Sequence, residues 1–160
     1  SIMRVGLGYD SHSFTEERPL VLGGVVIPGV QGLVGYSDGD ALSHAITDAL
    51  LGAAGQGDIG QHFPSTEPSL KDVDSTVLLK KVVTMITELN LRIENVDSTI
   101  VCEYPRISPY REEIVENLSK VIGIDSDRVS VKSKTNDKMG WIGSELGVAV
   151  YAVALLEMKR

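Results

Sequence analysis

The chain has a single cysteine, Cys102, among its 160 residues, and that scarcity excludes two designs at once. No intrachain disulfide can staple the fold, and no thiolate-rich closed structural zinc site can be assembled. Cys102 lies in the strand-like run Ser98-Thr99-Ile100-Val101-Cys102, where a small core residue is expected rather than a nucleophile. Long hydrophobic runs are missing as well. Nothing approaches the roughly 20 apolar residues that span a bilayer, and no basic amphipathic leader precedes the first strand, so a soluble protein is expected. Positive charge is in deficit: the formal net charge of -7 argues against nucleic-acid and anionic-membrane partners, which need clustered Lys and Arg. An anionic small substrate would have to be held by metal ions, helix N-termini and a few local donors. Repeats, low-complexity tracts and linkers are absent too, so residues 1–160 read as one domain. Such a chain buries roughly 70% of the surface that its unfolded form exposes.

Histidine is scarce, but two of the three histidines stand where they can act together. His12 follows Asp10 in Gly8-Tyr9-Asp10-Ser11-His12, and His44 closes Asp40-Ala41-Leu42-Ser43-His44. Residues two apart on an extended strand project from the same face, so Asp10 and His12 can converge on one ion. His44 supplies a third ligand if the helix that carries it packs against that strand end. One carboxylate and two imidazoles, with a fourth position open, make the donor set of a zinc site that does chemistry. The remaining histidine, His62, falls in a polar loop and reads as a solvent-exposed residue.

Ile2 to Gly8 reads as a strand, and Leu20 to Pro28 as a short hairpin that turns at Gly23-Gly24. From Asp38 to about Ala54, an apolar stripe of Leu42, Ala45, Ile46, Ala49 and Leu50 marks a helix, and Ser37 with Asp40 resembles a capping box at its start. Asp40 and Asp48 lie one turn either side of His44; either is a candidate to orient the imidazole, although capping is the preferred role for Asp40. The glycine-rich stretch from Gly57 to Pro68 reads as a mobile lid. A second helix runs from Asp74 or Ser75 to about Asn90, followed by a strand from Arg92 to about Glu103. A third helix, capped by Ser108 with Pro109 first, ends at Ile122 before Gly123. Val129 to Lys134 is a strand, while Leu146 to Leu156 is ambiguous, its β-branched Val148, Val150 and Val153 favouring strand. The pattern predicts an α+β fold, an α/β layer of a four-stranded mixed sheet with three helices on one face.

At Ser37-Asp38-Gly39-Asp40, followed by His44, Asp48 and Gly57-Asp58-Ile59-Gly60, the chain resembles the 2-C-methyl-D-erythritol 2,4-cyclodiphosphate synthase family of the non-mevalonate isoprenoid pathway. The resemblance takes in Gly8-Tyr9-Asp10-Ser11-His12, Gly23-Gly24-Val25, Asn95-Val96-Asp97, Pro105-Arg106-Ile107-Ser108-Pro109 and Lys132-Ser133-Lys134-Thr135, and covers nearly the whole length. It implies a homotrimer with active sites between subunits, cytoplasmic in a bacterium or plastid-located in a eukaryote after loss of a leader. The implied activity is that of a phosphorus-oxygen lyase. The substrate would be 4-diphosphocytidyl-2-C-methyl-D-erythritol 2-phosphate, whose 2-phosphate attacks the β-phosphorus to give the cyclic diphosphate and CMP. A phosphate monoester has a second pKa of about 6, so this nucleophile is largely ionised near neutrality and needs no general base. Positioning and charge stabilisation then carry the catalysis.

The same resemblance implies zinc on Asp10, His12 and His44, and a second divalent cation, magnesium or manganese, held at the diphosphate by Asp137. Thr135 would steady the transition state, and Tyr36, also catalytic, would give phosphate a hydrogen bond. Asp10, Ser11, His12, Tyr36 and Ser37 would meet the substrate near zinc, and Asp58, Ile59, Gly60, Phe63, Pro64, Ser65, Thr66 and Glu67 its erythritol side. Cys102, Glu103, Tyr104, Pro105, Arg106, Ile107 and Ser108, with Lys134, Thr135, Asn136 and Asp137, would form the nucleotide pocket. Trp141 would complete the substrate contacts and wall the trimer's central cavity. Four departures from the usual pattern bear on chemistry: Tyr36 replaces a histidine, Asp137 a glutamate, Lys134 a threonine and Ser144 an arginine. Lys134 either offsets the first two changes or is simply solvated. Ser144 removes a cation from the cavity, so binding of an isoprenoid diphosphate there is expected to be weak or absent. Two other functions compete: a non-catalytic nucleotide-binding trimer that has lost turnover through Tyr36 and Asp137, and a zinc hydrolase with Asp48 or Asp58 as base.

Overall fold

In the computed structural model, which describes residues 2–158, the first strand runs on well past Gly8, and β1 spans Met3–Thr15. Residues 1, 159 and 160, included in the single-domain expectation, lie outside the described residues. Asp10 and His12 therefore sit inside a strand rather than after it. Strands β2 (Leu20–Leu22) and β3 (Val25–Ile27) form the expected hairpin on Gly23 and Gly24, which both adopt positive φ. Next come β4 (Gly32–Leu33), α1 (Ala41–Ala53), α2 (Ile59–His62) and α3 (Ser75–Glu88). The order continues with β5 (Leu91–Val101), α4 (Arg111–Ile122), β6 (Val129–Lys134), α5 (Gly140–Gly143) and β7 (Gly147–Met158). No helix among the described residues is long and apolar enough to cross a membrane.

The main sheet is mixed, but five-stranded rather than four-stranded, in the order β4-β1-β7-β5-β6. The extra strand, β4, pairs only Leu33 and Gly32 with Phe14 and Thr15, too little for alternation to show in the sequence. Among the described residues five α-helices stand where three were expected, because α2 and α5 are single turns of 4 residues each, too short for a helical period to repeat. The ambiguous Leu146–Leu156 segment belongs to β7, which pairs antiparallel with β1 on one side and β5 on the other. Ser108 opens a 3-10 turn, Ser108–Tyr110, and does not cap α4.

Helix α1 lies against β1 and β7 because Gly6 and Gly8 carry no side chain. A Cβ on Gly8 would fall 1.8 Å from the Ala45 carbonyl oxygen, and one on Gly6 1.9 Å from that of Ala49. On this side of the sheet Val148, Val150, Ala152, Ala154 and Ile100 join Leu42, Ile46 and Leu50 in one buried cluster. The opposite side stays uncovered: Val5 and Leu7 are 69% and 68% exposed, alongside Tyr9, Tyr151 and Val153. These residues pair across strands, Leu7 with Val153 and Tyr9 with Tyr151, so the exposed groups form a continuous apolar stripe.

Asp40, not Ser37, starts α1. Its fully buried carboxylate accepts from the backbone amides of Gly23 (2.8 Å), Gly24 (2.8 Å) and Ser43 (2.9 Å) and from the Ser43 hydroxyl (2.8 Å). One side chain thus fastens the helix cap to the hairpin turn. Burial, aided by the Asp38 charge, pushes this carboxyl up against the opposing pull of its donors. Asp40→Asn replaces one oxygen with an amino group facing those donors and is expected to cost about 2 kcal/mol. The urea midpoint reads this directly, and an unchanged midpoint would contradict the role.

Candidate active site

Strand β1 and helix α1 bring Asp10, His12 and His44 together. Asp10 Oδ2 lies 2.6 Å from His12 Nε2 and 3.0 Å from His44 Nδ1, and the three potential ligand atoms fall within 4.8 Å of one another. His12 Nδ1 donates to the Val34 carbonyl at 2.5 Å, which leaves Nε2 as the nitrogen available to a ligand. This donor set fits a tetrahedral zinc ion with bonds of about 2.0–2.1 Å and one position open. Two imidazoles also suit zinc better than magnesium, which prefers oxygen ligands.

The three groups shift each other's protonation. Burial raises the Asp10 carboxyl, but hydrogen bonds and charge from His12 and His44 outweigh it and hold the group below its ordinary 3.8. Burial likewise lowers His44, yet the hydrogen bond to Asp10 and the charges of Asp10, Asp40 and Asp38 lift it above 6.5. In the metal-free protein the Asp10–His44 contact is therefore fully stabilising between pH 3.8 and 6.5. It is lost as pH rises through the raised histidine value and as pH falls through the lowered carboxyl value. Thermal melting of EDTA-treated protein and its Asp10→Asn variant is expected to differ most inside that window. A difference that does not vary with pH would contradict the coupling.

Around the triad the residues are held by local hydrogen bonds. Tyr36 Oη donates to the Glu67 carbonyl at 2.9 Å, and Ser37 Oγ lies 3.0 Å from His44 Nε2. Neither candidate for orienting His44 reaches it: the Asp40 oxygens are taken by the cap and hairpin, and Asp48 accepts from the Ile59 amide at 2.7 Å. The imidazole instead meets Ser75 Oγ at 2.7 Å. The sequence gives no sign of this contact, since 31 residues separate the pair. Asp58 caps α2 in a reciprocal capping box with Gln61, Ile59 and Gly60 lie in that turn, and Phe63 ends it. Pro64, Ser65 and Thr66 lead to Glu67, which caps a 3-10 turn at Pro68–Leu70. The expected lid is thus built largely of capped turns. His62 Nε2 donates to the Gln56 carbonyl at 2.7 Å and stands apart from the triad.

A second cleft, of about 290 Å³, is lined by Cys102, Glu103, Arg106, Ile107, Ser108, Lys134 and Thr135, joined by Arg111 and Ser133, which sequence reasoning missed. Tyr104 and Pro105 instead border a separate cleft of about 570 Å³ with Phe14, Glu16 and Glu145. Burial pushes the Cys102 thiol up to about 12, so it is an inert part of the wall. Both Glu103 oxygens are engaged, accepting from the amides of Asn136 (3.1 Å) and Lys138 (2.7 Å). This carboxylate holds a turn in which Asp137 and Lys138 take φ of 51° and 63°. Asn136 Nδ2 donates to the Met139 carbonyl at 3.0 Å, and Thr135 Oγ1 accepts the Asp137 amide at 3.4 Å. Trp141 stands beside the triad in a third cleft with Ser11, His12, Ser13 and Leu146.

The triad and the second cleft share no residue. Strands β1, β5 and β6 run in one direction, so His12, Cys102 and Thr135 lie toward the same end of the sheet. Two strand spacings, about 10 Å, separate β1 from β5.

The YgbB family profile matches residues 3–157. A 2-C-methyl-D-erythritol 2,4-cyclodiphosphate synthase of Fusobacterium nucleatum is 49% identical over 159 residues, covering 99% of each chain. A protein of the same name from Prosthecochloris aestuarii is 49% identical over 157 residues, 98% of this chain and all of that one. The solved IspF of Plasmodium falciparum, in complex with CDP, superposes with a TM-score of 0.87 at 38% identity, over 99% of this chain and 97% of that one. The bifunctional IspDF of Campylobacter jejuni reaches a TM-score of 0.95 at 37% identity; 98% of this chain matches 42% of that larger protein.

Proposed function

Because the chain belongs to the YgbB family, we infer that it carries out the 2-C-methyl-D-erythritol 2,4-cyclodiphosphate synthase reaction named for its relatives. The reaction is that of a phosphorus-oxygen lyase, in which 4-diphosphocytidyl-2-C-methyl-D-erythritol 2-phosphate closes to the cyclic diphosphate with loss of CMP. The observation that carries the reading is the convergence of Asp10, His12 and His44 from β1 and α1. Zinc held there supplies a Lewis acid that polarises the phosphate under attack. The cleft lined by Arg106, Arg111 and Lys134 takes the cytidine diphosphate end, its cations meeting the phosphate charge. Asp137 holds the second divalent ion from the turn that Glu103 braces, and the Thr135 hydroxyl donates to the transferred phosphoryl group. Tyr36 must first release the Glu67 carbonyl before its hydroxyl can turn to phosphate.

The chain acts as a single domain within a homotrimer, a reading supported by the uncovered stripe of Val5, Leu7, Tyr9, Tyr151 and Val153. Burying that stripe between copies lets the triad of one subunit face the nucleotide cleft of another. The hydrolase alternative finds little support. Asp48 and Asp58, its candidate bases, are engaged with the amides of Ile59 and Gln61. Phosphorus NMR of the substrate with protein, zinc and magnesium tests the proposal. Coupled cyclic-diphosphate resonances plus CMP are expected, a linear product would mean hydrolysis, and unchanged substrate with measurable CDP binding would mean a non-catalytic nucleotide-binding trimer.

A further inference from the structure

The two metal-facing histidines solve one problem in different ways. An imidazole presents a lone pair to a metal at one nitrogen when its proton sits on the other, and the partner of that second nitrogen decides the matter. For His12 the partner is the Val34 carbonyl, which can only accept. For His44 the partners of Nε2 are hydroxyls, Ser75 Oγ at 2.7 Å and Ser37 Oγ at 3.0 Å, and a hydroxyl can donate or accept. What breaks the ambiguity is Asp38. Its Oδ1 lies 2.5 Å from Ser75 Oγ, and its Oδ2 accepts the Ser75 amide at 3.0 Å. A carboxylate has no proton to give, so the Ser75 hydroxyl proton points to Asp38 and the Ser75 oxygen is left as an acceptor.

We propose that Ser75 and Asp38 are positioning residues for His44. Asp38 takes the Ser75 proton, the Ser75 oxygen takes the Nε2 proton of His44, and Nδ1, which donates to Asp10 in the metal-free protein, can then give up that proton and offer its lone pair to an ion. The two hydroxyls of the chain are buried, Ser75 0% and Ser37 8% exposed, while Asp38 is half-buried, so water does not readily replace Ser75. It also joins three elements, since Ser75 is the first residue of α3, Asp38 lies in the loop before α1, and His44 lies within α1. Ser37 donates to Ser75 at 3.2 Å and has no carboxylate behind it, which makes it the weaker of the two hydroxyl partners.

This proposal rests on reading the triad as a metal centre, and two measurements on the full-length protein separate the claims. Competition with a chromophoric chelator gives the zinc dissociation constant of the parent, Ser75→Ala, Ser75→Thr, Asp38→Asn and Ser37→Ala. Nitrogen-15 imidazole spectra of the same metal-free proteins give the tautomer of neutral His44. Ser75→Ala and Asp38→Asn are expected to weaken zinc about 10- to 100-fold and to shift neutral His44 toward the tautomer with its proton on Nδ1, where Asp10 accepts it. Ser75→Thr restores both, Ser37→Ala changes them less, and His12 keeps its proton on Nδ1 throughout. Tight zinc in the parent with a dissociation constant unchanged in Ser75→Ala, or a His44 tautomer indifferent to Ser75, would overturn the positioning role alone. A parent that binds no zinc would overturn the metal reading and the positioning role with it.

Discussion

Replacing His44 with alanine is expected to lower kcat by at least about 10³-fold, the scale on which charge-stabilising groups act in phosphoryl and acyl transfer. Asp10 and His12 come from one strand, and His44 is the sole contribution of α1 to the triad. Two neighbouring ligands on a strand do not close a zinc site, so bound zinc should leave on dialysis. Affinity for CDP should survive, since the cleft proposed to take the nucleotide contains no member of the triad. Initial rates by phosphorus NMR, metal analysis and CDP titration on one preparation check all three outcomes. A variant that keeps the parent rate would remove the triad from the chemistry, and one that loses CDP binding as well would point to a wider collapse.

A single methyl group on Gly8 should be nearly as damaging, by a different route. The added Cβ of Gly8→Ala would meet the Ala45 carbonyl oxygen at 1.8 Å and the Ala49 amide nitrogen at 2.8 Å. These are backbone atoms and cannot rotate away, so α1 must retreat from β1. The expected cost is about 3 kcal/mol, lowering Tm by about 10 °C in a domain of this size. His44 directly precedes Ala45, so the retreat also separates it from Asp10, and zinc affinity should fall with stability. Gly52→Ala is the control within the same helix: its Cβ meets nothing nearer than 4.0 Å, and it should stabilise by up to about 1 kcal/mol. Equal melting temperatures for the two variants would refute the close-contact argument.

The Asp10-His12-His44 triad was legible in the sequence because both rules that define it are local. Asp10 and His12 share a strand face, and the stripe from Leu42 to Leu50 fixes the helix that carries His44. The long elements followed for the same reason. Strand β4 and the single turns α2 and α5 escaped notice because they are too short for their pattern to repeat. Ser75 and Asp38 escaped because their role depends on packing between segments 31 and 37 residues apart. Glu103 does line the expected cleft, but its bracing of the 136–138 turn went unread because it depends on the amides of Asn136 and Lys138, more than 30 residues away.

Amides gathered in a turn are a natural cradle for a stray phosphate. Here the protein fills the cradle with an anion of its own, one that is tethered and never diffuses away. Inorganic phosphate and other small cellular anions thus find that seat taken. Glu103 is also part of the wall of the cleft that contains Arg106 and Arg111, so its oxygens reach that cleft already engaged by amides.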